Sequence, residues 1–100
     1  MLTLPIKKKW FDMILSGEKK EEYREMKPYF SSRFRNVWGY PAYWQEQRQI
    51  RLRSGYSTDS PSAVVTCTLS IGEGRPEWGA EPGKPYYRLH IENIIPGWEG

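Results

Sequence analysis

Seven of the nine residues in positions 17–25 are charged, and this run lies between two apolar segments of a 100-residue chain. Residues 10–15 (WFDMIL) precede it and residues 28–30 (PYF) follow it, so a folded core must lie on both sides. Charges held inside so small a fold are costly unless they pair with one another or meet a ligand. We therefore expect the functional site within residues 17–25.

The composition favours one small domain with an aromatic core. The chain has fifteen Phe, Trp and Tyr against sixteen Leu, Ile and Val, and its eight Pro and nine Gly disfavour long helices. No apolar run approaches the roughly 20 residues that span a bilayer. The first residues also lack a signal-peptide pattern. We therefore expect a single cytoplasmic domain over residues 1–100, without a membrane segment.

The chain has one cysteine, Cys67, and one histidine, His90. A single cysteine cannot form a disulfide within the chain, and the two side chains are too few for a structural zinc site. Cys67 falls between apolar residues of a predicted strand, so we expect it in the core. His90 is expected to be solvated. We expect neither a metal nor another cofactor.

The charge is distributed unevenly along the chain. Residues 1–53 carry twelve Lys or Arg against six acids, whereas residues 54–100 carry three against six. A basic half on a small domain favours polyanionic partners such as RNA or DNA, although ordinary surface cations give the same imbalance.

The pattern of apolar residues predicts a small α+β domain. Spacings of three and four residues predict short helices over residues 8–16 and 28–35, and Gly17 is expected to end the first one. Alternating or β-branched segments predict strands over residues 2–6, 20–25, 49–53, 63–71 and 86–95. Residues 36–47, 54–62 and 72–85 are predicted to be irregular. The strands are too few and too unevenly connected for a sandwich, so we expect a small β-barrel of five to six strands.

The charged run divides between two faces of its predicted strand. Side chains alternate along a strand, so Glu22 and Arg24 share one face, while Glu21, Tyr23 and Glu25 share the other. Glu22 and Arg24 are about 7 Å apart by the strand rise, within reach of long side chains. We expect this pair in a cleft. Lys19 precedes the strand, and we expect it at the rim of that cleft.

The same residues form a recognisable signature. Gly17, Lys19, Glu22 and Arg24 stand at the fixed positions of G-x-K-x-x-E-x-R, which resembles the signature of ASCH domains, a family similar to the PUA RNA-binding fold. The resemblance is strong over residues 4–30 and looser over residues 51–56 and 72–80. It implies a PUA-like β-barrel whose cleft is lined by the signature residues. It also implies RNA, a nucleotide or a nucleoside as the ligand.

Three functions are compatible with these residues. In the first, Lys19, Glu22 and Arg24 bind RNA or a nucleotide. In the second, the same cleft belongs to a hydrolase with Lys19 and Glu22 as catalytic residues. The resemblance implies either an amidohydrolase of N4-acylated cytidine or a ribonuclease, but the acylcytidine enzymes usually carry Thr where this chain has Glu22. In the third, the aromatic residues of positions 36–47 form a protein-interaction surface.

Two further basic groups are candidate binding residues. Lys7, Lys8 and Lys9 lie where the first helix is predicted to begin, and cations there oppose the helix dipole. They are either exposed lysines that carry this modest cost or ligands of a phosphate bound at the start of the helix. Arg51 and Arg53 share the outer face of their predicted strand.

The remaining candidates are aromatic or acidic. The aromatic side chains of the predicted irregular segment can stack on unpaired bases or form a local core, and they are Trp38, Tyr40, Tyr43 and Trp44. A second carboxylate of the cleft would come from Glu73, Glu77 or Glu81, among which the sequence does not decide.

Overall fold

The computed structural model describes residues 1–96, and it confirms the predicted α+β class. Two helices and five strands follow one another in the order β1 (Thr3–Ile6), α1 (Lys8–Leu15), β2 (Glu21–Arg24), α2 (Pro28–Trp38), β3 (Arg48–Ser54), β4 (Ser62–Glu73) and β5 (Pro85–Pro96). Two single turns of 3-10 helix, Pro41–Tyr43 and Pro76–Trp78, lie in the loops. None of these helices is both long and apolar enough to cross a membrane.

The strands form one mixed sheet in the order β1-β3-β4-β5-β2. β1 is parallel to β3, and the other neighbours are antiparallel. β1 and β2 are therefore the two edges, and no backbone ladder joins them within residues 1–96. The sheet is open in this sense, and its closure into a barrel stays a prediction.

Both helices share one hydrophobic core with the strands. Phe11 and Ile14 of α1 and Phe34 and Trp38 of α2 are buried, at the three- and four-residue spacings of an amphipathic helix. The strand residues of this core are Leu4, Ile6, Ile50, Leu52, Ala63, Val65, Cys67, Leu69, Tyr87, Leu89 and Ile91. The strand alternation predicted from the sequence is thus confirmed for β3 and for most of β4 and β5.

Helix α2 is three residues longer than predicted. The sequence placed residues 36–38 in an irregular loop, but the helix continues to Trp38 and ends at Gly39, whose φ is 79°. The indole of Trp38 is 3% exposed, and its Nε1 donates a hydrogen bond to the carbonyl of Glu46 at 2.8 Å. Burial of this large side chain explains the additional turn.

A second, smaller core lies under the β4–β5 connection, residues 74–84. Its buried members are Tyr23, Ala80 and Tyr86, and Trp78 packs against them. Strand alternation puts Tyr86 on the face of β5 opposite the main core, but Tyr86 is still only 6% exposed because the connection folds back over it. The alternation along β5 thus assigns Tyr86 and Tyr87 to opposite faces of the strand. Both faces are buried at the start of β5, one by the main core and the other by the β4–β5 connection.

Glycine permits the close approach of this connection. A Cβ on Gly74 would lie 2.6 Å from the Tyr23 ring, and one on Gly79 would lie 3.1 Å from the Trp10 ring. Gly79 also has a φ of 101°, which side chains disfavour. The connection can therefore rest directly on the aromatic side chains below it.

We expect Gly79→Ala to destabilise the protein more than Gly83→Ala. Both glycines have positive φ, which costs about 1–2 kcal/mol for a residue with a Cβ. Gly83 has open space around its Cα, whereas Gly79 faces Trp10. Urea unfolding of both variants measures the difference in free energy. Equal losses would show that the contact with Trp10 is unimportant.

Candidate functional site

Lys19 is a buried ammonium with three hydrogen-bond acceptors. The residue is 1% exposed, and its Nζ donates to the carbonyl of Glu21 at 2.6 Å and to the carbonyl of Trp78 at 2.8 Å. Glu22 Oε1 lies 3.1 Å from the same atom. An ammonium has three N–H donors, so all of its hydrogen-bonding capacity is used.

Aromatic rings complete the surroundings of Lys19. Its Nζ lies 4.8 Å from the ring centre of Tyr23, 5.2 Å from that of Trp10 and 6.0 Å from that of Trp78. These distances allow cation–π attraction to offset part of the lost hydration. Burial lowers the pKa of Lys19, and the nearby Glu22 carboxylate opposes that shift. The predicted position of Lys19 at the rim of the cleft is therefore wrong.

The turn at Gly17 brings Lys19 to this position. Gly17 follows the last turn of α1 with a φ of 85°, as predicted for the residue that ends this helix. The N–H of Lys19 then donates to the carbonyl of Met13 at 3.0 Å. This hydrogen bond holds the chain against the C-terminal end of α1, the helix that also contains Trp10.

Glu22 and Arg24 lie side by side, as the strand alternation predicts. Glu22 is 5% exposed, and its Oε2 accepts a hydrogen bond from Nη1 of Arg24. Arg24 Nη1 also donates to the carbonyl of Tyr23, and its Nη2 donates to the carbonyl of Pro5, both at 2.8 Å. The guanidinium therefore connects β2 to β1, the two open edges of the sheet.

A pocket of about 500 Å³ lies at this gap between the edge strands. It is lined by Pro5, Ile6, Lys7, Lys8, Trp10, Glu22, Tyr23, Arg24, Ser54, Gly55, Tyr56, Trp78, Gly79 and Tyr86. Of the predicted signature residues, Glu22 and Arg24 thus reach the pocket. Lys19 does not line it and contacts it only through Glu22 and the surrounding rings.

Two of the three predicted N-terminal lysines line the pocket. Lys7 and Lys8 do, whereas Lys9 lies outside it with its Nζ 4.7 Å from the ring centre of Trp10. Lys8 also forms an exposed ion pair with Asp12 at 2.6 Å. The cationic side of the pocket is therefore formed by Lys7 and, in part, by Lys8.

Other predicted residues lie away from the pocket. Arg51 and Arg53 are on the face of β3 opposite the buried Ile50 and Leu52, so their predicted shared outer face is confirmed, but neither lines the pocket. The three candidate second carboxylates, Glu73, Glu77 and Glu81, do not line it either. Glu22 is the one carboxylate that residues 1–96 contribute to the lining.

Aromatic side chains that no sequence motif singles out form much of the pocket wall. Tyr56 is 90% exposed in the β3–β4 loop, and Trp10, Trp78 and Tyr86 come from α1, the β4–β5 connection and β5. Nothing local marks Trp10 and Trp78 as neighbours. The ASCH-like resemblance at residues 51–56 and 72–80 was the available signal for Tyr56 and Trp78.

The β4–β5 connection is held over the site by polar contacts. The N–H of Arg75 donates to the hydroxyl of Tyr23, and the N–H of Glu81 donates to the hydroxyl of Tyr86, each at 3.0 Å. Lys84 Nζ contacts Glu25 at 2.7 Å. Hydrogen bonds from Lys27 and Lys84 lower the pKa of Glu25 to about 2. The wall that carries Trp78 is thus fixed to β2 and β5.

The remaining candidates have structural surroundings. Cys67 is fully buried, and burial raises the pKa of its thiol to about 12. His90 lies on the surface, 3.7 Å from Glu21 and 3.6 Å from Glu92. Across residues 1–96, no group of three or more His, Cys, Asp or Glu side chains is arranged to hold a metal ion.

The pocket can recognise polar and aromatic groups at once. A carboxylate only accepts hydrogen bonds and a guanidinium only donates them, so Glu22 and Arg24 offer complementary partners at adjacent points. Aromatic side chains surround this pair. Such walls accommodate planar rings by stacking.

Comparison of the chain with protein-family models, with curated proteins and with solved structures found no match. The resemblance to ASCH domains stays a prediction from the sequence signature.

We expect Lys19→Met to destabilise the fold strongly. Removal of one partner from a buried ion pair costs about 3–5 kcal/mol, because the other charge is left without compensation. Lys8→Met is the matched control, since its ion pair is exposed and such pairs contribute about 0.3–0.5 kcal/mol. Denaturant unfolding measures both. A similar loss of unfolding free energy in the two variants would contradict the central role of Lys19.

Proposed function

We propose that the protein binds a nucleotide, free or as part of RNA, with the base inside the pocket between β1 and β2. The observation that carries this proposal is the ion pair between the buried Glu22 and the partly buried Arg24, among aromatic walls in a space of about 500 Å³. Proteins that read unpaired bases use the same combination, in which an aromatic face stacks on the base and polar groups contact its edge.

The charge of Glu22 supports this orientation of the ligand. A phosphate in contact with Glu22 would place two groups that only accept hydrogen bonds against each other, whereas the edge of a base carries N–H donors as well as carbonyl or ring-nitrogen acceptors. Glu22 accepts from the donors, and Arg24 donates to an acceptor with the N–H groups that its bonds to Glu22, Tyr23 and Pro5 leave free. Lys7 and Lys8 then lie where the phosphate leaves the pocket.

Lys19 acts in this proposal through its neighbours. Its Nζ holds Glu22 on one side and the carbonyl of Trp78 on the other, so it fixes both the polar group and one aromatic wall. The ligand need not touch it. A PUA-like barrel of the ASCH type and a cytoplasmic location belong to the same proposal and rest on the sequence signature and composition.

Binding is tested first with Tyr56, whose exposed side chain can be removed without disturbing the core. We expect Tyr56→Ala to weaken the binding of a mononucleotide such as UMP or CMP about five- to 150-fold, because base stacking contributes about 1–3 kcal/mol. Tyr43→Ala is the control, since Tyr43 is exposed but lies outside the pocket.

Isothermal calorimetry with nucleosides, nucleotides and a short RNA measures these affinities. The double variant Lys7→Gln/Lys8→Gln should bind nucleotides more weakly and nucleosides with unchanged affinity. Lys9→Gln should change neither affinity. If the wild-type protein binds none of these ligands, the proposal is wrong.

A second candidate function is hydrolysis in the same pocket. The observation in its favour is the lowered pKa of Lys19 beside a carboxylate at 3.1 Å, because perturbed pairs of this kind cluster at catalytic sites. Lys19 would act as base or nucleophile after losing its proton, with Glu22 beside it. Against it stand the complete hydrogen bonding of Nζ and its position outside the pocket lining.

Turnover assays distinguish the two candidates. Under the binding proposal, neither N4-acylated cytidines nor labelled single-stranded RNA are consumed. If either is consumed, the hydrolysis hypothesis predicts that the variants Lys19→Ala and Glu22→Gln lose this activity. Circular dichroism checks that both variants are folded. Activity that persists in folded Lys19→Ala would exclude a catalytic role for this lysine.

A further inference from the structure

A second pocket, of about 550 Å³, lies beside the C-terminal half of α2. It is lined by Ser31, Phe34, Arg35, Gly39, Tyr40, Pro41, Trp44 and Tyr87. None of these residues lines the first pocket. We refer to this space as the α2 pocket.

Four aromatic rings line the α2 pocket at different depths, and Phe34 is the most deeply buried of them at 1% exposure. Tyr87 lies deep at 8% exposure, and Trp44 packs edge-on against it with ring centres 6.1 Å apart. Tyr40 lines the same pocket and is 76% exposed. Its exposed ring offers a face to a planar ligand, whereas Tyr87 and Trp44 are held by their contacts with the core.

The α2 pocket also has polar groups for the edge of a ring and for a phosphate. The hydroxyls of Ser31 and Tyr87 lie 2.6 Å apart and leave further hydrogen-bonding capacity. Arg35 is exposed, and within residues 1–96 its side chain forms neither an ion pair nor a hydrogen bond. Residues 28–45 contain two arginines and no acid, so this region favours an anionic ligand.

The two pockets are neighbours on the sheet. Arg24, which lines the first, is the direct partner of Tyr87 in the β2–β5 ladder. Directly paired residues have Cα atoms about 5.5 Å apart or less. The longest dimension of the protein is 32 Å. The nine steps of a ten-nucleotide strand span about 31 Å at the spacing of stacked bases, nearly the length of the protein, so one strand can reach both pockets.

We propose that the α2 pocket is a second base-binding site, which takes an unpaired base of the nucleic-acid strand whose other base occupies the first pocket. Tyr40 and Trp44 stack on the base, the Ser31–Tyr87 hydroxyls contact its edge, and Arg35 contacts the adjoining phosphate. The identity of the ligand rests on the proposed function. The location of the site rests on the α2 pocket alone.

The test compares a ten-nucleotide strand with a mononucleotide. The probes are fluorescein-labelled U10 and dT10, measured by fluorescence anisotropy, and UMP, measured by calorimetry. We expect the double variant Arg35→Gln/Tyr40→Ala to bind the strand at least about fivefold more weakly, because one stacked base contributes about 1–3 kcal/mol. Its affinity for UMP at the first pocket should be unchanged. The salt dependence should also fall by about 0.7 in log–log slope for one lost phosphate contact.

Matched controls come from the same helix and loop. Arg33→Gln removes an arginine whose guanidinium stacks on Tyr29 at 3.5 Å, and Tyr43→Ala removes an exposed tyrosine. Neither residue lines the α2 pocket, so the double variant Arg33→Gln/Tyr43→Ala should bind the strand like the wild type. Because all four side chains are at least partly exposed, we expect both double variants to fold.

The outcomes separate the two proposals. If Arg35→Gln/Tyr40→Ala binds U10 and dT10 like the wild type while Tyr56→Ala is weakened, the second site is wrong and the proposed function stands. If the wild type binds neither strand nor UMP, both are wrong. A loss on both strands supports a site that accepts either strand. A loss on U10 alone supports a site that contacts the ribose 2′-hydroxyl or that excludes the methyl group of thymine.

Discussion

The buried ammonium of Lys19 is the interaction on which the rest of this site depends. Transfer of one charge into a protein interior costs several kcal/mol, so its acceptors must be in place whenever the protein is folded. Those acceptors come from β2, through Glu21 and Glu22, and from the β4–β5 connection, through Trp78. One ion therefore fixes both the carboxylate in the pocket and the loop that forms its wall.

The open edges of the sheet explain where the pocket lies. Exposed edges invite unwanted pairing, and here both edge strands have only four residues while β1 contains Pro5, which cannot donate a hydrogen bond. Arg24 crosses the gap and donates to the carbonyl of Pro5. The gap thus becomes a recessed site whose floor is a paired carboxylate and guanidinium rather than a free strand edge.

The basic half of the chain serves several surfaces. Lys7 and Lys8 line the first pocket, and Arg35 lines the α2 pocket. Arg51 and Arg53 lie on the face of β3 that points away from the core. Sequence charge alone suggested a polyanionic partner without locating it. The two pockets give that charge specific positions next to aromatic rings, a combination also found in proteins that bind single-stranded nucleic acids.

The sequence by itself determined the α+β class, the positions of both helices and all five strands, and the pairing of Glu22 with Arg24. Helical spacing and strand alternation act between residues a few positions apart, so they can be read locally. Only the tertiary structure decided that Lys19 and Tyr86 are buried and that Tyr56 and Trp78 line the pocket. Lys19 and Trp78 are 59 residues apart, and they meet because the β4–β5 connection folds back over β2.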